Sequence, residues 1–444
     1  MNARESFLDI VERNRQGEPL GVYSVCSAHP AVIEASLKQA MADDSMVLIE
    51  STSNQVNQDG GYTGMTPRDF VSYVTRIADT VGFPAERIMF GGDHLGPNPW
   101  SGREAGEAMA HARTLVQQYA EAGFQKIHLD ASMFLADDAG ERSKPLPDEV
   151  VAARAADLCA VVEQTWKSSH PGSPPPVYII GTEVPVPGGA QEAEEHVEVT
   201  ATTDALRTIE ITREQFHQSG LDDAWSRVCG LVVQPGVEFG DDQVFDYEPR
   251  AAAELSAAIA GFPGMVYEAH STDYQTEEGL ANLVRDHFCI LKVGPWLTFA
   301  YREALFALEA IEREVAQLHS GSAQLSGLSD TLDAVMQADS QFWKKYYPGN
   351  AELQSFKRKY SYSDRSRYYW PSTQLQDACS RLFANLRSWG IPLSALSQHM
   401  PPQYLHVREG LVALDPEDLA LARIRDVIAI YARACGMTRA EVTS

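Results

Sequence analysis

Eight times along the chain a short apolar run ends abruptly in polar residues, and helical periodicity fills the stretch that follows. The runs are GVYSVCS (21–27), MVLIEST (46–52), IMFGGDH (88–94), KIHLDAS (126–132), VYIIGTE (177–183), GLVVQPG (230–236), MVYEAHS (265–271) and CILKVGP (289–295). Each is rich in Val, Ile, Leu or Tyr and short enough to be a strand buried on both faces. The stretches between them, among them PAVIEASLKQAMAD, TPRDFVSYVTRIADTVGF, residues 204–218 and EPRAAAELSAAIAG (248–261), space their apolar residues three and four apart. That spacing suits helices with one face on a sheet. Strand then helix, eight times over, predicts an α/β fold, a (β/α)₈ TIM barrel, because parallel neighbours need a crossover helix. An open doubly wound sheet is the competing arrangement. No GxGxxG follows the first run, which weighs against it.

From about residue 320 the pattern changes. SGSAQLSGLSD reads as a Ser/Gly-rich joint, and helix-like stretches follow at about 329–348, 373–389 and 415–434. The expected division is a barrel over residues 1–320 and a helical C-terminal extension over 321–444, packed on the barrel. Within the extension, KRKYSYSDRSRYYWP (357–371) mixes cations with aromatics. It reads either as a solvated face or as a contact with phosphate or another subunit.

Composition narrows the partners. With 444 residues, 44% hydrophobic and 22% charged, the chain is an ordinary globular one able to bury a large core. Its net charge of -25 disfavours nucleic acid or an anionic membrane as partner, since the long-range field repels phosphate. A phosphorylated ligand would need local cations or helix N-termini. No eighteen-residue apolar run occurs, and the charged N-terminus lacks a signal-peptide core, so a cytoplasmic chain is expected. The six cysteines are scattered without a CxxC pair, and three of them, Cys26, Cys229 and Cys289, in or beside apolar runs, read as reduced core thiols.

In a (β/α)₈ barrel the chemistry sits at the C-terminal ends of the strands. There this sequence puts Ser27 and His29, Glu50 and Asn54, Asp93 and His94, His128 and Asp130, Glu183, Gln234 and Glu238, Glu268 with His270 and Asp273, and Lys292. One or two of these would pass as caps or buried hydrogen-bonded groups. A ring of carboxylates and imidazoles at all eight ends points to a working mouth, because an unpaired buried charge is expensive. Lys292 allows a Schiff base or the binding of substrate oxygens, and neighbouring carboxylates that keep it charged favour the second. Arg365 and Arg367 are, by composition, candidates for phosphate contacts, provided the extension folds back over the mouth.

The strings CSAHP, IESTSNQVNQDGGYTGMTP, GGDHLGPN, IIGTEVPVPGG, EAHSTDYQT, LKVGPWLTFAYREALF and YSYSDRSRYYWP carry a further reading. In order, from Gly21 to about Arg408, they resemble the non-catalytic (Z-type) subunit family of D-tagatose-1,6-bisphosphate aldolase. That family lies with the class II aldolase barrels, and some of its members are described as D-tagatose-6-phosphate 4-epimerases. The resemblance implies a divalent metal, zinc, held by His94 and His270, with Asp93, Asp130 and Glu183 moving protons. It leaves Glu50, Asn54, His128, Gln234, Asp273 and Lys292 as substrate contacts. Gln234 stands where the pattern expects a ligating histidine, and Gln is a poor zinc ligand. Either His128 or Glu183 completes the metal, or the metal is absent.

Two functions follow from the resemblance. One is metal-assisted C4-epimerisation between D-tagatose 6-phosphate and D-fructose 6-phosphate by retro-aldol and aldol steps. The other is a non-catalytic subunit that stabilises and activates a separate class II aldolase. The partners implied are a small phosphorylated sugar, a class II aldolase catalytic subunit and further copies of the chain as a homo-oligomer. A sugar-phosphate kinase would need a nucleotide site, and no GxxxxGK[ST] occurs.

Overall fold

The computed structural model describes residues 1–142, 144–181, 197–319 and 324–438. Eight strands close a barrel: β1 (Val22–Cys26), β2 (Val47–Thr52), β3 (Ile88–Leu95), β4 (Lys126–Leu129), β5 (Val177–Ile180), β6 (Val228–Val233), β7 (Val266–Ala269) and β8 (Phe288–Val293). All pair in parallel, in the order β1-β8-β7-β6-β5-β4-β3-β2. The (β/α)₈ reading therefore holds, and the open sheet does not. Strand residues are buried almost without exception, inside the barrel or under its helices, which is why the sequence shows apolar runs rather than alternation.

The helices depart from the periodicity in two places. The stretch 248–261 is helical only over Ala253–Ala258, with a 3₁₀ turn to Gly261. Residues 249–252 form turns instead. The stretch 329–348 is helical only over Leu328–Ala338, where Asp339 turns extended. Beyond it Trp343 and Tyr347 fold back into the core, and Trp343 Nε1 donates to the carbonyl of Met336 at 2.5 Å. Packing of large aromatics outweighs local helical spacing there.

The helix after β8, Pro295–Ala316, joins two hydrophobic clusters. Leu297 and Ala300 lie in the barrel core, whereas Leu305, Leu308 and Ile311 belong to a second cluster with Leu328, Trp343, Trp370 and Leu382. The chain then returns. Its last long helix, Pro416–Ala434, buries Ile424, Val427, Ile428 and Tyr431 in the barrel core, against helices Pro30–Ala42, Glu277–Arg285 and Pro295–Ala316. Tyr431 Oη donates to the carbonyl of Thr272 at 2.8 Å, tying that helix to the loop after β7.

The loop after β7 also starts the helix after β8. Asp273 Oδ1 accepts the backbone N–H groups of Gly294 (2.9 Å) and Trp296 (2.8 Å), two of the donors that a helix N-terminus leaves open. Burial pushes the Asp273 pKa up from an ordinary 3.8 to about 6, partly opposed by those N–H groups and by Arg367. A carboxyl raised in the fold favours folding while neutral, so that contribution is full below about pH 4 and is lost as the pH rises through about 6. Asp273→Asn keeps an oxygen for both N–H groups but cannot ionise. Its melting temperature should therefore exceed that of the wild type at about pH 7.5, by at most about 3 kcal/mol of stability, and the gain should vanish near pH 4. Equal gaps at the two pH values would rule out a strained carboxylate at this position.

Candidate active site

The GGDHLG segment of β3 sets the geometry. Gly92 pairs with Ile127 of β4 and Leu95 with Leu129, so Asp93 and His94 form a bulge between them. His94 takes a left-handed conformation with φ of 48°. Neighbouring residues on a regular strand point to opposite faces; the bulge lets both side chains reach the mouth. Two glycines make room. A Cβ on Gly91 would lie 2.4 Å from Glu50 Oε1, and one on Gly96 would lie 1.6 Å from the carbonyl oxygen of Asp130.

Beneath the mouth lies a buried ionic lattice. Lys126 Nζ sits 2.7 Å from Glu50 Oε1 on β2 and 2.7 Å from Glu268 Oε2 on β7, with all three side chains fully buried. Lys292 of β8 pairs with the other oxygen of Glu50 and lies 3.1 Å from Asp93 Oδ2. Cys26 Sγ lies 3.5 Å from Asp93 Oδ2, and burial pushes its thiol up to about 12. Each of three histidines has its own carboxylate: His128 Nδ1 with Asp93 Oδ1 at 2.9 Å, His94 Nδ1 with Asp130 Oδ2 at 3.0 Å, and His270 Nε2 with Glu268 Oε1 at 3.0 Å. The His94 and His270 ring centroids are 4.9 Å apart, and His128 lies 5.2 and 5.5 Å from them.

Burial and charge compete at each group. Burial alone would lower the His94 pKa, but Asp93, Asp130 and Glu268 raise it to about 9. Burial would raise Asp130, yet its bond to His94 holds it well below the usual carboxylate range. Glu268 is likewise held at about 2 against burial, by Lys126 and His270. For Lys292 burial prevails and lowers its pKa.

One donor atom from each of Asp93, His128, Glu268 and His270 lies within 4.8 Å of the others, an arrangement able to hold a metal ion. The residues fit. His128 Nδ1 faces Asp93 Oδ1 at 2.9 Å and the His94 backbone N at 3.2 Å, while its Nε2 is buried and has no hydrogen-bond partner. Metal-binding histidines are oriented in this way by a carboxylate on the other ring nitrogen, and the N/O donor set suits zinc and neighbouring divalent metals.

The strand-end residues sort into layers. A cavity of about 600 Å³ over the mouth is lined by Asn54, Asp93, His94, Asp130, His270, Asp273 and Lys292, and on its far side by Arg365 and Arg367. Glu50 and His128 are fully buried and do not line it. His94 stands beside the four-residue donor group rather than in it, its Nε2 3.6 Å from Asp93 Oδ2; His128 is in the group instead. Gln234 does not line the cavity: its Oε1 accepts the N–H groups of Gly236 (2.8 Å) and Val237 (3.0 Å) and caps its own turn. Glu183 lies outside the described residues. His29 packs on Tyr301 and Trp370, away from the mouth.

The basic aromatic stretch is not a solvated face. After helix Ala351–Tyr360 it makes a 3₁₀ turn, Arg365–Tyr368, in which Arg365 is 3% exposed; Trp370 beyond it is 1% exposed. The turn roofs the cavity with Phe342, Tyr346 and Tyr368. Lys126 is the residue that sequence reasoning missed; Glu268, noted at its strand end, was given no role. The signal for Lys126 was period two: Lys126, His128 and Asp130 share one face of β4 and its end. A larger groove of about 830 Å³, lined by Met400, Pro401, Leu411 and Arg433 among others, lies elsewhere and contains none of these groups.

The family described as "D-tagatose-1,6-bisphosphate aldolase subunit GatZ/KbaZ-like" matches residues 7–436. A crystal structure of a probable tagatose 6 phosphate kinase from Sinorhizobium meliloti 1021 is similar, with 48% identity and a TM-score of 0.85, over 94% of this chain and 100% of that one. The fructuronate-tagaturonate epimerase UxaE from Cohnella laeviribosi is 12% identical, with a TM-score of 0.49, over 94% of this chain and 81% of that one. Among the described residues no helix is long and apolar enough to cross a membrane. With matched positions running from the first helix through the last, the chain belongs to the D-tagatose-1,6-bisphosphate aldolase subunit GatZ/KbaZ-like family.

Proposed function

We propose that this chain is a metal-assisted C4-epimerase of ketose 6-phosphates, interconverting D-tagatose 6-phosphate and D-fructose 6-phosphate. The observation that carries the reading is the convergence of two carboxylate-paired histidines, His94 and His270, and Lys292 on one cavity, with a third such histidine, His128, buried against them. A subunit that only stabilised a partner would have no use for it.

The hydrogen on C4 of a ketose is not acidified by the C2 carbonyl, so simple proton abstraction does not invert that carbon. A retro-aldol step does. A base takes the O4 proton, the C3–C4 electron pair moves into the C2–C3 enediolate, and C4 becomes the aldehyde of a triose phosphate. The aldehyde turns its other face, the enediolate pair returns to C4, and O4 regains a proton. No oxidant or reductant is needed. The His94–Asp130 pair would exchange the O4 proton, the neutral imidazole fraction accepting it in the retro-aldol step and the imidazolium returning it in the aldol step. The Lys292 ammonium, held by Glu50 and Asp93, is placed to bind an enediolate oxygen. A divalent ion on Asp93, His128, Glu268 and His270 would supply Lewis acidity for the same oxygens.

A second reading, a subunit that stabilises and activates a class II aldolase, is favoured by the family's own description. Incubating the purified chain alone with fructose 6-phosphate, with and without added divalent metal, separates the two. The epimerase reading expects tagatose 6-phosphate to form and a chelator to stop it. Absence of product in every metal tried, together with a gain in stability or rate of an added aldolase, would establish the subunit role instead.

Two sets of variants test the roles. His128→Ala and His270→Ala should each lower bound metal below one equivalent by elemental analysis, and stoichiometric metal in either would remove that residue from the ligand set. Asp130→Asn should keep its metal and fold yet lose turnover by roughly 10²–10⁴-fold, the usual range for impaired acid–base catalysis. A change of only a few-fold would exclude the His94–Asp130 pair from proton transfer.

A further inference from the structure

Barrels often hold phosphate on backbone N–H groups near the last strands. Here that position is already taken, since Asp273 Oδ1 accepts the Gly294 and Trp296 N–H groups at the start of the helix after β8. A phosphate on this cavity needs donors elsewhere.

The roof supplies them. Arg365 and Arg367 line the same cavity as Asp93, His94, His270 and Lys292. In a chain of net charge -25, neither guanidinium has a carboxylate within 4.0 Å among the described residues. Their partners are neutral. Arg367 donates to the carbonyls of Ser363 and Asp364 and to Tyr368 Oη (3.0 Å), and Arg365 Nη1 reaches Tyr368 Oη at 3.4 Å. Arg365 also lies 3.4 Å over the Tyr346 ring, while its Nε is buried without any hydrogen-bond partner. Arg365 is buried and Arg367 half-buried, and guanidiniums without a carboxylate in contact are costly in such a wall unless an anion completes them.

The turn that bears them is fixed in advance. Asp364 begins it in a left-handed conformation with φ of 40°. Its carboxylate accepts from Thr298 Oγ1 (2.5 Å) on the barrel helix and from Ser366 Oγ (2.6 Å), with Arg302 Nε at 3.6 Å. A non-glycine residue persists there because its surroundings hold it. That carboxylate is therefore spent on the scaffold rather than on the two arginines.

We propose that Arg365 and Arg367 form a clamp for a phosphate dianion, contributed to the barrel mouth by the C-terminal extension. Resting on the epimerase reading, the clamp has a specific task. Cleavage between C3 and C4 leaves the 6-phosphate on the aldehyde fragment, so the clamp retains that fragment while its carbonyl turns over.

Calorimetric titration of the purified full chain with inorganic phosphate, fructose 6-phosphate and fructose tests the clamp without requiring turnover. Arg365→Met and Arg367→Met should each weaken fructose 6-phosphate and phosphate by about 10- to 100-fold, as for loss of a charged hydrogen bond, and fructose by less than about 3-fold. Arg365→Lys, which keeps the charge but not the planar fork, should fall between. Thermal melts without ligand show which variants are folded. Unchanged fructose 6-phosphate affinity in folded variants overturns the clamp. Equal weakening for fructose overturns its assignment to phosphate. The retention role is read by coupling released glyceraldehyde 3-phosphate to a dehydrogenase: the variants should release more triose phosphate per epimerisation than the wild type, and an unchanged ratio overturns that role. A wild-type chain that binds phosphate through these arginines yet never epimerises would keep the clamp and sink the epimerase.

Discussion

Lys126 is clasped inside the barrel between Glu50 and Glu268, and the mouth is built upward from that contact. Three charged side chains with no exposure to water persist only because each neutralises another. Removing one member of such a set commonly costs about 3–5 kcal/mol, since an uncompensated charge stays behind. Here the consequence is also positional. Glu50 uses its other oxygen for Lys292, and Glu268 uses its other oxygen for His270. Asp93 then joins Lys292 to His128. Side chains from β2, β3, β4, β7 and β8 thus share one electrostatic frame, and none can move far alone.

Above that frame the cavity is two-sided in charge. The floor carries four carboxylates, Glu50, Asp93, Asp130 and Glu268, against the two ammoniums of Lys126 and Lys292 and the imidazolium of His94. By itself such a floor welcomes a cation. The positive wall comes from another part of the chain, the turn Arg365–Tyr368 of the C-terminal extension. The extension is held in register from both ends, by Asp364 on Thr298 and by the final helix packed in the barrel core.

Some of this site was legible early and some was not. Asp93, His94, Asp130, His270, Asp273 and Lys292 stood out because they end apolar runs, where a barrel exposes its chemistry. Lys126 and Glu268 sit inside such runs, so their meaning depends on partners that are distant in sequence: Lys126 is 76 residues from Glu50 and 142 from Glu268. Gln234 ends its run like the others, yet its side chain caps its own turn, and only the hydrogen bonds distinguish the two uses. The same holds for His94 and His128. Period two places both near the mouth, but the bulge at Asp93–His94 decides which ring joins the donor group. In the extension, helical spacing overran at residues 339–348, because Trp343 and Tyr347 gain more from burial than from continuing the helix.

The amino-acid sequence by itself determined the barrel. Its strands are buried on both faces and must be apolar throughout, and its helices must repeat near 3.6 residues, so the alternation is written locally eight times over. It also determined that polar groups would gather at one end. The tertiary structure alone decided which carboxylate serves which imidazole, which lysine is structural and which faces the cavity, and that two arginines some 70 residues beyond the last strand roof it. Those choices rest on contacts of a few ångströms between distant segments. Electrostatic energies at that range change steeply with distance and burial, and no local pattern encodes either.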